Sequence, residues 1–307
     1  MGTEHWTSKI SLNEAAVAEI LGGEFDELKD AKIAYFNEGW DSWIFRVNEN
    51  YLFRFPKSAD SSKRLKSEIR LLPEIEDELP IPIPAFEYVG EPSGKYPCHY
   101  AGYEMVEGTP GVELPELKTD FGPIAKQLGR FLSKLHSLPR KTAEECGIPV
   151  DENLDALEEI RKDALAQLEK VRDVLPPGLP EKVDAFLRQD IQRLGKHSGA
   201  SRLIHNDFSN EHILLDDARK KVVGIIDWGD VELGDPAMDF AGLIQWQGPD
   251  FFDAVREHYS LKLDDEAKDR ARYIACSEGL GDIHYGIKTK RKNFAVSGAK
   301  AVINALR

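Results

Sequence analysis

The stretch LIHNDFSNEHILLDDARKKVVGIIDWGDVELGDPAMDFAGL, Leu203 to Leu243, constrains the fold more than any other part of the chain. Two short apolar runs, Ile213-Leu214-Leu215 and Val222-Val223-Gly224-Ile225-Ile226, flank a charged turn, which is the pattern of a buried β-hairpin. Asp207 lies in a polar loop shortly before His212, and Asp227 closes the second run. Folding the hairpin brings two carboxylates to one end of a small sheet, an arrangement suited to a metal ion and phosphate groups.

The chain before this stretch is strand-rich. After a short amphipathic helix around Leu12 to Leu21, the segments KIAYF, WIFRVN and YLFRF read as an antiparallel meander between Ile33 and Pro56, joined by NEGWDS and NEN. The first joint, with Ser42 at its end, holds a single glycine, far from a glycine-rich phosphate signature. Arg54 sits in the last strand and Glu68 in SSKRLKSEIRLLPEI, where Leu65, Ile69 and Leu72 repeat at helical spacing. A strand cation facing a helix acid is the ion pair that orients nucleotide phosphates in kinases. From the two residues alone, a surface ion pair is the simpler reading.

Leu79-Pro80-Ile81-Pro82-Ile83-Pro84 cannot be helical and reads as a connector. Tyr100 to Val106 reads as a strand that breaks at Glu107-Gly108-Thr109-Pro110, where a hinge fits. Beyond it the chain is mostly helical. Ile124, Leu128, Phe131, Leu132 and Leu135 form one apolar stripe, and further helices are expected at Leu154 to Val171, Val183 to Leu194, Phe251 to Tyr259, Asp265 to Leu280 and Ala295 to Leu306. This places a boundary near Gly108, between residues 1–107 and 108–307.

The 307 residues suffice for two lobes, and 41% hydrophobic with 31% charged residues is an ordinary globular composition. The formal charge of -14 argues against a nucleic-acid partner and suits a cationic one, although it serves solubility equally. Cys98, Cys146 and Cys276 are far apart and match neither a disulfide frame nor a zinc site, so a reducing cytoplasm is expected. No export signal or membrane span is legible. A monomer is the default.

The central motifs carry a resemblance. His205-Asn206-Asp207-Phe208-Ser209-Asn210-Glu211-His212, then Ile225-Ile226-Asp227-Trp228-Gly229-Asp230 and Asp235-Pro236-Ala237-Met238-Asp239-Phe240, resemble the catalytic core of the aminoglycoside phosphotransferases. The likeness is to their 2″ branch, which reads HNDFS..H where most of the family has HGDLHPGN. It implies an α+β, bilobal protein-kinase-like fold, with a small antiparallel-sheet N-lobe and a mostly helical C-lobe. It also implies transfer of the γ-phosphoryl group of ATP or GTP, with Mg2+, to a hydroxyl of a small cationic antibiotic. By motif position Asp207 would be the catalytic base, Asp227 a metal ligand and His212 the second, where most relatives have Asn. Ser42, Arg54 and Glu68 would serve the phosphates, and Glu104 and Val106 the purine at the hinge. His205 would brace the loop, with Asp235 and Asp239 structural.

Two departures stand out. Arg54 replaces the family's lysine, a planar fork in place of a compact ammonium. Past the last motif, Leu243-Ile244-Gln245-Trp246-Gln247 is neutral where the 2″ branch carries acids, so Asp230, Glu278 and Asp282 are candidates to meet substrate amines instead. Apolar Trp246 and Phe251-Phe252 would suit a macrolide as the alternative acceptor. A catalytically inactive nucleotide-binding module is the other alternative, kept open by Arg54.

Overall fold

The computed structural model describes residues 12–307, except 40, 115–116, 118–120, 152–155 and 195–199. The expected helix start at Leu154 and Trp40 of the first joint lie outside the described residues.

Helix α1 (Glu14–Glu24) starts where the Asn13 side chain accepts the Ala16 N–H, and leads into β1 (Ile33–Glu38), β2 (Ser42–Val47) and β3 (Tyr51–Pro56). Helix α2 (Ala59–Ile75) follows, capped by Ser58, then β4 (Phe86–Gly90) and β5 (Tyr100–Glu104). The five strands form one antiparallel sheet in the order β1-β2-β3-β5-β4. Alternation sorts the side chains onto two faces. Phe45, Val47, Phe53 and Phe55 pack with Val17, Ile20 and Leu21 of α1 in an aromatic-rich core. Ile44 opposite Arg54, and Arg46 opposite Leu52, which in turn pairs with Tyr103, belong to the other face.

That second face meets α2. Its buried residues include Leu65, Glu68, Leu71, Leu72 and Ile75, so Glu68 lies deeper than the expected stripe residue Ile69. The proline connector runs extended onto the hairpin, where the Ile225 N–H donates to the Pro82 carbonyl at 3.0 Å.

After β6 (Thr109–Pro110) come α3 (Gly122–Leu135), α4 (Arg140–Glu145), α5 (Ala156–Val171) and α6 (Leu179–Leu187). The expected stripe on α3 is buried throughout. Then β7 (Arg202–Ile204), β8 (Ile213–Leu215), β9 (Val222–Ile225) and β10 (Glu232–Gly234) build the expected hairpin, β8 with β9, beside β6, and a separate β7–β10 pair. Helices α7 (Ala237–Gln247), α8 (Pro249–Arg256), α9 (Ala267–Thr289) and α10 (Lys292–Ala305) complete the chain. Among the described residues no helix is long and apolar enough to cross a membrane.

Three expectations change. The helix expected at Val183 to Leu194 starts at Leu179 and ends at Leu187. Helix α9 runs nine residues past Leu280, to Thr289, because its glycines serve contact rather than termination. A Cβ on Gly279 would lie 2.8 Å from the Gly298 carbonyl oxygen of α10, so the helices touch backbone to backbone. Trp246, Phe251 and Phe252 belong to the large core and, at 4%, 0% and 1% exposed, offer a ligand little surface.

Helix α7 lies as close to the 205–212 loop as α9 does to α10. A Cβ on Gly242 would fall 2.3 Å from the Phe208 carbonyl oxygen and 2.8 Å from its carbon. Gly242→Ala should therefore lower stability by about 1–3 kcal/mol through forced backbone displacement. A urea midpoint equal to wild type would show that the loop yields freely.

Candidate active site

Asp239, fully buried in the first turn of α7, fixes the backbone of the loop. Its carboxylate accepts the His205 N–H at 3.0 Å and the Asn206 N–H at 2.8 Å, and lies 2.9 Å from His136 Nε2 of α3. Asp235 accepts the Ala237 N–H at the start of α7 and pairs with Arg270 of α9. Both acids therefore cap and tie the structure, as their motif positions imply.

His205 joins the two acid-bearing loops. Its Nε2 lies 3.1 Å from the Ile226 carbonyl, and its Nδ1 accepts the Asp207 N–H at 3.3 Å, which sets an uncharged ring protonated at Nε2. Burial, the largest influence, lowers its pKa. Neighbouring Asn206 has φ 65° and Asp227 φ 63°, left-handed conformations that L residues rarely adopt and that cluster at functional sites. Asn is among the few L residues that tolerate this geometry.

The three expected chemical residues converge. His212 Nδ1 stands 3.0 Å from the Asp207 carbonyl and 3.4 Å from its carboxylate, while Nε2 stands 3.5 Å from the Asp227 carboxylate. Burial opposes charge on the ring, but the hydrogen bond and charge of Asp207, with the charge of Asp227, outweigh it and push its pKa up to about 10. Burial alone would raise both acids; His212 holds Asp207 below the usual carboxylate range, and Arg54 followed by His212 does so for Asp227.

Arg54 and Glu68 form a buried pair, 7% and 1% exposed, which corrects the surface-pair reading. Nη1 donates to both Glu68 oxygens at 2.8 and 2.9 Å, leaving Nη2 3.6 Å from Asp227. A lysine has one nitrogen for these tasks; the guanidinium divides them between two. Burial raises the proton affinity of Glu68 while Arg54 opposes it. Lys57 leaves this cleft, as strand alternation requires: it donates to Glu38 and to the Gly39 carbonyl and covers the Trp43 ring.

Other expected residues are dispersed. Ser42 is 3% exposed, so its hydroxyl is turned from solvent. Glu104 is exposed at the end of β5, and Val106 is half-buried over Gly224 of β9. Tyr103, 8% exposed, feels the charges of Arg54, Asp227 and Glu68 and thus lines the same cleft. Glu278 and Asp282, one turn apart on α9, lie near Asp207: burial first, then Asp207 with Asp282 for Glu278, and Glu211 with Asp207 for Asp282, push both carboxyls up. Glu278 is open to solvent yet ringed by protein, the position of a cleft wall. Gln245 donates to it. Asp230 is exposed and stands beside the central acids, within reach of the charges of Arg64, Asp207, Asp227 and Asp41. Glu211, the sequence neighbour of His212, joins the acid group although its motif position gave no reason to single it out.

Among the described residues no three His, Cys, Asp or Glu side chains converge as a metal-holding group. Mg2+ does not require one, because it keeps waters and is held by one or two carboxylates together with substrate phosphates. Asp227 fits that need. His212 fits less well: the Asp207 carbonyl engages Nδ1–H, so only Nε2 could face a metal, and only after losing its proton.

The family model described as "Phosphotransferase enzyme family" matches residues 32–274. Among curated proteins, the uncharacterized protein YcbJ of Bacillus subtilis (strain 168) is 25% identical over 200 residues, covering 62% of this chain and 61% of that protein. The match thus spans under two thirds of the relative's length. The structure of the GDP complex of wild-type aminoglycoside 2'-phosphotransferase-IIIa superposes with a TM-score of 0.75 at 22% identity, over 96% of this chain and 99% of that one. The gentamicin-APH(2")-IIa complex gives 0.62 at 23%, over 96% and 97%. Macrolide 2'-phosphotransferase MphH from Brachybacterium faecium gives 0.60 at 20%, over 88% and 92%. At these identities the likeness is one of fold.

The His212 bridge has a pH signature in metal-free protein. Its folded pKa of about 10 exceeds the ordinary 6.5, so its stabilisation is complete below pH 6.5 and is lost as pH rises through 10. With chelator present, the stability margin of wild type over His212→Asn should be widest below pH 6.5 and narrow toward pH 10. Denaturant titrations across that range test it, and a constant margin rejects a charged bridge.

Proposed function

The chain belongs to the phosphotransferase enzyme family whose model spans residues 32–274, and from that membership we propose that it transfers the γ-phosphoryl group of ATP or GTP to a hydroxyl of an aminoglycoside. The observation that carries this reading is the convergence of Asp207, His212, Asp227 and the buried Arg54–Glu68 pair at one cleft. Residues 1–107 form the nucleotide lobe in this proposal, and 108–307 carry the catalytic loop and acceptor pocket.

Phosphoryl transfer asks a protein mainly to position reactants and spread charge. Asp207, held ionised and 40% exposed at its side chain, orients the acceptor hydroxyl and takes its proton. Arg54 faces the phosphates, fixed in place by Glu68. Asp227, with His212 beside it, would hold Mg2+, which when bound neutralises phosphate charge. Glu104 and Val106 offer their backbone to the purine, and the bulky Tyr103 narrows the space for the base. Solved relatives in the same fold hold GDP, which supports a purine nucleotide donor.

Glu211, Glu278 and Asp282 gather on the acceptor side with carboxyls pushed up by burial and neighbouring acids, and each would ionise on pairing with a substrate ammonium, which supports a substrate with several amines. Structures of 2″-phosphotransferases with kanamycin or gentamicin bound agree with that class. The apolar wall that would favour a macrolide is absent at Trp246 and Phe251-Phe252, since these residues are core. The assembled acids and cation weigh against an inactive module.

Two substitutions test the reading. Asp207→Asn should cut turnover of a kanamycin or gentamicin substrate by about 10²–10⁴-fold while nucleotide affinity stays near wild type; near-wild-type turnover removes Asp207 from the role of base. Glu278→Gln should raise KM for the aminoglycoside about tenfold, roughly one weakened charge-assisted contact, with little change in kcat. Steady-state kinetics separate the two, and an unchanged KM takes Glu278 out of the acceptor site.

A further inference from the structure

The register of the five-stranded sheet places Arg46 on the same face as Arg54, opposite Leu52. Arg46 lies two residues along β2 from Ile44, the partner of Arg54, so it stands roughly 7 Å farther from the phosphate-facing end of the cleft. At that point it meets the 104–106 segment. Its Nη2 donates to the Met105 sulfur at 3.4 Å, and its guanidinium lies over the Phe36 ring, 5.4 Å from the centroid. Its Nε is buried and has no partner. No carboxylate pairs with it among the described residues, although the chain carries 54 acids against 40 lysines and arginines.

The fold does not account for this group. A thioether is a weak acceptor, and a buried N–H without a partner is rare enough to need a reason. Phe36 is equally unusual, a phenyl ring 47% exposed. The β1–β2 register slips between Tyr35 and Asn37, taking Phe36 out of the regular alternation. A planar cation and an exposed aromatic ring thus stand together beside the 104–106 segment, on the face that carries Arg54.

We propose that Arg46, braced by Phe36, is a binding residue for the base-and-ribose half of the nucleotide. Its planar fork suits both stacking on a purine and donation to acceptors common to guanine and adenine nucleotides, the ribose oxygens and ring nitrogens. The inference rests on the reading of this cleft as the nucleotide site.

Calorimetric titration of the full chain in Mg2+ with GDP, ADP and inorganic tripolyphosphate tests it. Arg46→Met should weaken GDP and ADP by about tenfold, the scale of one charge-assisted hydrogen bond, and leave tripolyphosphate unchanged. Arg46→Lys, which keeps charge without the fork, should show the same selective loss and decides the matter where the Met variant fails to fold. Nucleotide affinities within twofold of wild type, or equal losses for nucleotide and tripolyphosphate, overturn the proposal. Wild-type protein that binds none of the three probes overturns the nucleotide-site reading itself, an outcome distinct from selective failure of the Arg46 variants.

Discussion

The site depends on one carboxylate that never meets water. Asp239 accepts two consecutive backbone N–H groups of the 205–212 loop and contacts His136, so α7, α3 and the loop share a single anchor. Burying a carboxylate is costly unless its oxygens are fully engaged, and here three donors meet it. The consequence propagates. With its N–H fixed, His205 can place its ring between the Asp207 N–H and the Ile226 carbonyl, and thereby set the spacing of the two segments that carry Asp207 and Asp227. The left-handed backbone at Asn206 and Asp227 is strain that this bonding sustains.

How much of this is legible in the sequence depends on the kind of signal. Alternation and helical spacing expose the hairpin, the α3 stripe and the meander, because those patterns encode burial directly. The acids of the central stretch are legible because the motifs fix their order. Burial of a charged pair leaves no such trace. Glu68 interrupts an apolar stripe and reads as solvated, yet it lies deeper than Ile69 because Arg54 arrives from a strand distant in sequence. Trp246, Phe251 and Phe252 fail in the opposite direction. Aromatic residues beside a site read equally well as wall or core, and only the packing of α7 on α8 decides for core. The expected end of α9 at Leu280 falls short because the contact that carries the helix onward, with Gly298, belongs to another helix.

Arg54 shows how a departure from a family pattern can be absorbed. A lysine at this place could direct one ammonium toward Glu68 or toward the cleft. The guanidinium gives Nη1 wholly to Glu68 and leaves Nη2 facing Asp227, so ion pair and cleft cation coexist without competition. Arg54 then stands on the Asp227 side of the site, while Glu211, Glu278 and Asp282 gather near Asp207.

Glu278 and Asp282 owe their place to helix packing. Helix α7 supplies no acid beyond Asp239, and Gln245 instead donates to Glu278 of α9, so the carboxyl beside it comes from a neighbouring helix. That helix is positioned by backbone contact with α10. Gly279 sits next to Glu278, and a Cβ on Gly298 would fall 2.8 Å from the Asp282 Cβ. Any side chain added at that contact would have to push α9 away from α10, and Glu278 and Asp282 would move with it. Under the proposed function, the selectivity of the acceptor pocket is therefore set by two glycines outside every catalytic motif, which act only by letting two helices touch.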